Sequence, residues 1–177
     1  MNFRLIFAAL VFSGAAFFFI YACSFGRYGE AVEAAFPAQS ALVIMDSNSG
    51  RIYAWWPMEE NEEFAIEFIH SVSQSPVTEF FKIENGTIYI NAVRFSSFGA
   101  GMESDFHEGH IWSQEGDITL ISGLSTSFRE LNYIIGTISD HFLIVRGEAI
   151  SLIQLLNLSS DETTRKNAHI TIFFSAY

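Results

Sequence analysis

Two patterns of apolar and polar positions divide the chain. From Leu5 to Phe25 no charged residue interrupts the run, with Arg4 before it and Arg27 after it. Such a run is long enough to cross a bilayer core of about 30 Å as a helix. From residue 41 onward the apolar positions instead come in short groups separated by turn formers, which predicts strands. Residues 26–40 (GRYGEAVEAAFPAQS) lie between the two patterns, small and polar with a proline, and read as a linker.

The strand pattern can be followed residue by residue. Ala41–Asp46 (ALVIMD) and Arg51–Trp56 (RIYAWW) flank the turn Ser47-Asn48-Ser49-Gly50 and read as a hairpin. Glu63–His70 places Phe64, Ile66 and Phe68 on one face. Val77–Glu84 and Thr87–Phe95 flank Asn85-Gly86, two residues that tolerate the positive φ angles of a type I′ turn. Ser96–Gln114 has no period and reads as a long irregular loop. Ile118–Ser122, Glu130–Ile135, His141–Arg146 and His169–Phe174 predict further strands. Ala149–Leu158 fits either a bent strand or a short helix, and Asp161–Lys166 reads as a solvated loop. The expected fold is therefore all-β: an antiparallel sandwich or barrel of about eight short strands, preceded by one N-terminal hydrophobic helix. The expected organisation is a signal peptide or anchor over 1–28, a linker over 29–40 and one β domain over 41–177.

Composition narrows the class. Half of the 177 residues are apolar and 16% are charged, which excludes a disordered chain. The 19 phenylalanines suit a pleated, half-buried surface. The net charge of −11 argues against nucleic acid and against anionic lipid headgroups as surface partners. The single cysteine, Cys23, excludes an internal disulfide.

Arg4 followed by the apolar run has the layout of an export signal, and it predicts an N-in, C-out orientation. Three fates are open: a retained anchor, cleavage as a signal peptide, or lipidation at Cys23, since Ile20-Tyr21-Ala22-Cys23 resembles a bacterial lipobox with Tyr21 bulkier than usual. Each places the β domain outside the cytoplasm, in the periplasm or on the outer face of the membrane.

Two stretches gather polar or glycine residues among apolar strands. The first is Ile69-His70-Ser71-Val72-Ser73-Gln74-Ser75-Pro76-Val77-Thr78-Glu79, and the second is Ser96-Ser97-Phe98-Gly99-Ala100-Gly101-Met102-Glu103. Through a hairpin at 71–76, His70 and Glu79 are expected within hydrogen-bond reach, where a carboxylate would orient the imidazole. His70, Ser71, Glu79 and the backbone at Gly99 and Gly101 are thus candidates for a ligand pocket, against the plainer reading that they pin a loop. A hydrolase with Ser71 as nucleophile is disfavoured, because adjacent strand residues point to opposite faces and no Gly-x-Ser-x-Gly elbow occurs. A metal site would have to combine His70 and Glu79 with His107 and His110. His141 and His169 read as histidines satisfied by hydrogen bonds, and Tyr53, Trp55 and Trp56 as core, with an aromatic binding face as the alternative. No phosphate loop or dinucleotide fingerprint occurs, so no cofactor is implied.

The blocks Phe68-Ile69-His70-Ser71-Val72, Pro76-Val77-Thr78-Glu79-Phe80-Phe81 and Phe98-Gly99-Ala100-Gly101-Met102 resemble, in residues and spacing, the bacterial domain-of-unknown-function family numbered 1850. The resemblance runs from about Ala41 to the C-terminus. It implies a short exported or membrane-anchored β-rich protein whose gene neighbours encode tripartite (TRAP/TAXI-type) solute transporters. The partner it implies is the membrane permease or the solute receptor. A non-enzymatic accessory protein is the expectation; an envelope metal-binding or hydrolytic enzyme and a purely structural envelope protein are the alternatives.

Overall fold

A computed structural model describes residues 39–71, 73–96, 109–136, 139–156 and 167–176. The N-terminal segment with Cys23, the second glycine-rich stretch with Gly99 and Gly101, His107, and the 161–166 loop lie outside them. Among the described residues no helix is long and apolar enough to cross a membrane.

Twelve strands and one short helix are described. They are β1 (Ala41–Asp46), β2 (Ile52–Pro57), β3 (Glu63–Ile69), β4 (Pro76–Glu84), β5 (Thr87–Phe95) and β6 (Ile111–Glu115). Then follow β7 (Ile118–Ser122), β8 (Ser127–Phe128), β9 (Glu130–Ile135), β10 (His141–Val145), β11 (Glu148–Ser151), α1 (Leu152–Leu155) and β12 (Ala168–Ser175). They form two antiparallel sheets. One runs β2-β1-β12-β9; the other runs β11-β10-β3-β4-β5-β7-β6, with β8 also on β5.

The expectation of about eight strands is corrected upward. Part of the stretch read as loop, Ile111–Glu115, pairs with β7 through Gly116 in the left-handed region (φ 59°). Ile111 and Glu115 are exposed, so this edge strand has little of the apolar alternation that marks a half-buried strand. Ser127–Phe128 is too short to show a period. The ambiguous segment is both things at once: β11 ends at Ser151, whose hydroxyl accepts from the Gln154 N–H at 3.1 Å and caps α1.

The two sheets share one core. Leu42 and Ile44 of β1, Leu131 and Ile135 of β9, and Ile170 and Ile172 of β12 meet Phe64 and Ile66 of β3, Phe81 and Ile83 of β4, and Leu143 of β10. Phe64 and Phe81 are register partners and stack with ring centroids 5.1 Å apart. Tyr53 and Trp56 pack against this core, while Trp55 joins a smaller cluster with Ala41, Val43, Ile52 and Phe173. A further cluster of Val77, Phe95 and Ile121, flanked by Trp112 and Phe68, covers the β5–β7 side of the larger sheet.

The β4–β5 turn forms as its sequence predicts: Asn85 and Gly86 have φ of 50° and 68°. Glu60 holds it from outside, its carboxylate accepting from the Asn85 N–H and from the Gly86 N–H at 3.2 Å. A Cβ on Gly86 would meet nothing within 4 Å, so only its backbone angle resists substitution. Gly86→Ala should therefore cost about 1–2 kcal/mol, read as a lower urea midpoint with an unchanged m-value.

Candidate functional site

The strands position two groups of polar side chains. The first is the β3–β4 loop. Ile69 pairs with Pro76, and the His70 N–H donates to the Ser75 carbonyl at 2.9 Å. The Gln74 N–H returns to the His70 carbonyl at 2.9 Å, with Gln74 in the left-handed region at φ 52°. Gln74 Nε2 donates to the Ser71 carbonyl at 2.6 Å, and the Ser73 and Ser75 hydroxyls lie 2.7 Å apart. The Ser73 N–H donates to Nδ1 of His70 at 3.3 Å. With Nδ1 accepting, the ring proton sits on Nε2, which is then a donor. Ser71 is exposed and His70 half-buried at the rim of this loop.

The register corrects one expectation. Glu79 pairs with Ile66, not with a residue near His70. His70 stands four positions further along β3, about 13 Å at 3.3 Å per residue. The two side chains do not meet. The reason is the arithmetic of an antiparallel hairpin: once Ile69 faces Pro76, His70 must face Ser75, and Glu79 falls well down the strand.

Glu79 belongs to a second, half-buried group between the sheets. Its row across the larger sheet reads Leu143, Ile66, Glu79, Val93, Ile121, a carboxylate among apolar neighbours on one face. Its partner comes from the other sheet: the Tyr133 hydroxyl donates to Glu79 Oε2 at 2.6 Å. On β9, Leu131, Tyr133 and Ile135 alternate toward the core, which aims Tyr133 across it. Burial pushes the Glu79 carboxyl above its ordinary range, and the bond from Tyr133 opposes that in part. Burial and the neighbouring carboxylate push the Tyr133 hydroxyl strongly up, so it stays protonated and donates.

His141 completes this group. It pairs in register with Phe68, their rings stacked at 5.2 Å, and it meets the Tyr133 ring edge-on at 5.9 Å. Its Nδ1 is buried, and the Ser139 backbone carbonyl is the polar group set against it. Burial lowers the affinity of His141 for a proton, against the nearby Asp140 carboxylate and Ser139 carbonyl, which favour the charged form. Asp140 is itself occupied, accepting from the Ser151 hydroxyl and from the Ile153 N–H at 3.0 Å. His169 is exposed on β12.

The sequence singles out Glu79 but not Tyr133, and it does not join His141 to them. The alternation Leu131-x-Tyr133-x-Ile135 carried a usable signal, because it puts a hydroxyl on a core face, where it needs a partner. What no local pattern shows is which residue of the other sheet supplies that partner. Among the described residues no group of three or more His, Cys, Asp or Glu side chains converges as a metal site.

Neither the curated proteins nor the solved structures contain a match to this chain. Residues 64–152 match the model of one protein family, a span that runs from the second residue of β3 to the first residue of α1 and holds the β3–β4 loop together with Glu79, Tyr133 and His141. With half of its length matched, the chain belongs to the family described as Domain of unknown function (DUF1850).

Proposed function

We propose that this protein is an extracytoplasmic accessory protein of a tripartite (TRAP/TAXI-type) solute transporter, which acts by binding a small ligand or a transporter subunit at the β3–β4 loop. In this reading the N-terminal apolar run exports the chain and, if retained or lipidated at Cys23, tethers it as a helix or lipid anchor. The domain it carries is a β-sandwich. The observation that supports a binding role is the construction of the 70–75 loop. The His70 N–H and carbonyl, its Nδ1 and the Ser71 carbonyl are each tied to Ser73, Gln74 or Ser75, so an Nε2–H donor is presented beside Ser71 with little freedom left to lose. Preorganised donors on a rigid scaffold lower the entropic cost of binding. His70 and Ser71 would donate to a carboxylate or carbonyl oxygen.

The test is a thermal-shift series on the full-length protein in detergent micelles, with small carboxylates, amino acids and divalent cations as probes. One class should raise the melting temperature, because a ligand bound to the native state alone stabilises it by mass action. That rise should vanish in His70→Ala while the unliganded melting temperature changes little. If no probe shifts the wild type, small-ligand binding at this loop is wrong. Protein contact is then checked by a photocrosslinker at Ser71 in native membranes, where absence of any permease or receptor adduct removes the remaining form of the proposal.

A further inference from the structure

The half-buried group around Tyr133 is not used by a loop-mediated binding role, yet it sets a carboxyl and an imidazole beside that phenol at the junction of the sheets. Glu79 of β4 is bonded to Tyr133 of β9 at 2.6 Å, and His141 of β10 touches both the Tyr133 ring and Phe68 of β3. Phe68 lies two residues before His70, and Glu79 three residues after Pro76, so the group grips both strands of the hairpin that carries the loop. We propose that Glu79, Tyr133 and His141 form a latch that clamps the β3–β4 hairpin to the opposite sheet, with its carboxyl and its imidazole responding to pH in opposite senses.

The two titrations act in opposite directions. The interior disfavours charge on either side chain. For Glu79 the proton-bound form suits the fold, so its contribution is complete below about its ordinary 4.5 and is lost as pH rises through its higher folded value. For His141 the proton-free form suits the fold, so its contribution is complete above its ordinary 6.5 and is lost as pH falls through its lower folded value. Between these limits, acidification strengthens the latch at Glu79 while weakening it at His141. Among the described residues, β3 and β5 present Ile66 and Val93 to Glu79, and β10 contributes Asp140 beside His141. Asp46, in register with Ile170 beside Tyr133, is exposed-side and engaged by Ser49 and Tyr53. For a domain facing unbuffered surroundings, opposed responses at the two groups limit how far the hold on the loop drifts with pH. The purpose of that geometry rests on the binding role above, but the latch itself is read without any ligand.

The test compares unfolding of the full-length protein in micelles, wild type against Glu79→Gln and His141→Phe, from pH 4.5 to 8. Relative to wild type, Glu79→Gln should gain stability as pH rises, and His141→Phe should gain stability as pH falls. Each slope is at most about tenfold in the unfolding constant per pH unit, the limit for one proton. Hydrogen exchange should show the same opposite trends in the 67–79 hairpin and not in β1. If Glu79→Gln does not fold, Tyr133→Phe serves instead: removing the donor should move the Glu79 titration to higher pH. Differences that stay flat with pH, or slopes of the same sign in both variants, overturn the latch. A ligand screen that fails while the opposite slopes appear would refute the binding role and leave the latch standing.

Discussion

Phe81→Ala should destabilise the domain by about 3–5 kcal/mol, the range for emptying a fully buried aromatic site. Phe81 is 2% exposed, stacks on Phe64 across the β3–β4 pair, and meets Phe128 edge-on at 6.5 Å. Truncation therefore removes transfer free energy and two ring contacts together, and β-sheet backbone on either side limits collapse into the gap. The measurement is a urea titration followed by fluorescence of Trp55, Trp56 and Trp112. Phe81→Leu should recover most of the loss, since it retains apolar volume. A cost below about 1 kcal/mol for Phe81→Ala would mean that the shared core does not hold the two sheets together as described.

The second large effect concerns the hydrogen bond across the core. Tyr133→Phe should cost about 1–3 kcal/mol near neutral pH, because it deletes the donor and leaves the half-buried Glu79 carboxylate without its partner. The asymmetry of that penalty makes a sharper test. Replacing both partners, Glu79→Leu with Tyr133→Phe, should restore or exceed wild-type stability, since an apolar pair of similar shape removes the desolvation cost altogether. The cost of the single variant also has a sign with pH. Burial raises Glu79, so its protonated form suits the fold; that contribution is whole below about 4.5 and lost as pH rises. The Tyr133→Phe penalty should accordingly shrink toward pH 4.5 and grow toward pH 8. A double variant no more stable than Tyr133→Phe alone would show that the bond across the core is not a stability term. The pair would then matter for geometry or binding.

Much of this architecture is legible along the chain because it depends on local rules. The strands Ala41–Asp46, Thr87–Phe95, Ile118–Ser122 and Glu130–Ile135 are bounded as their apolar and turn residues predict. The Asn85-Gly86 turn needs only the backbone tolerance of those two residues. Strand β6 stays hidden because its two ends face solvent at a sheet edge, where no alternation is required.

The sites divide along the same line. His70, Ser71 and the polar loop stand out in the sequence because a run of small polar residues between apolar strands is a local anomaly. The register of the β3–β4 hairpin is not legible in the same way: a loop over 71–76 puts His70 near Glu79, whereas the observed pairing of Ile69 with Pro76 separates them. Only the tertiary structure decides what Glu79 does instead. A carboxylate on an apolar face must find a donor, but the donor stands 54 residues away on the other sheet. Sheet order and the facing of the two layers bring Tyr133 and His141 to it. Strand periodicity is a property of neighbours two apart, whereas partner choice across a core depends on how whole sheets pack. That is why the strands could be read from the chain and the Glu79–Tyr133–His141 group could not.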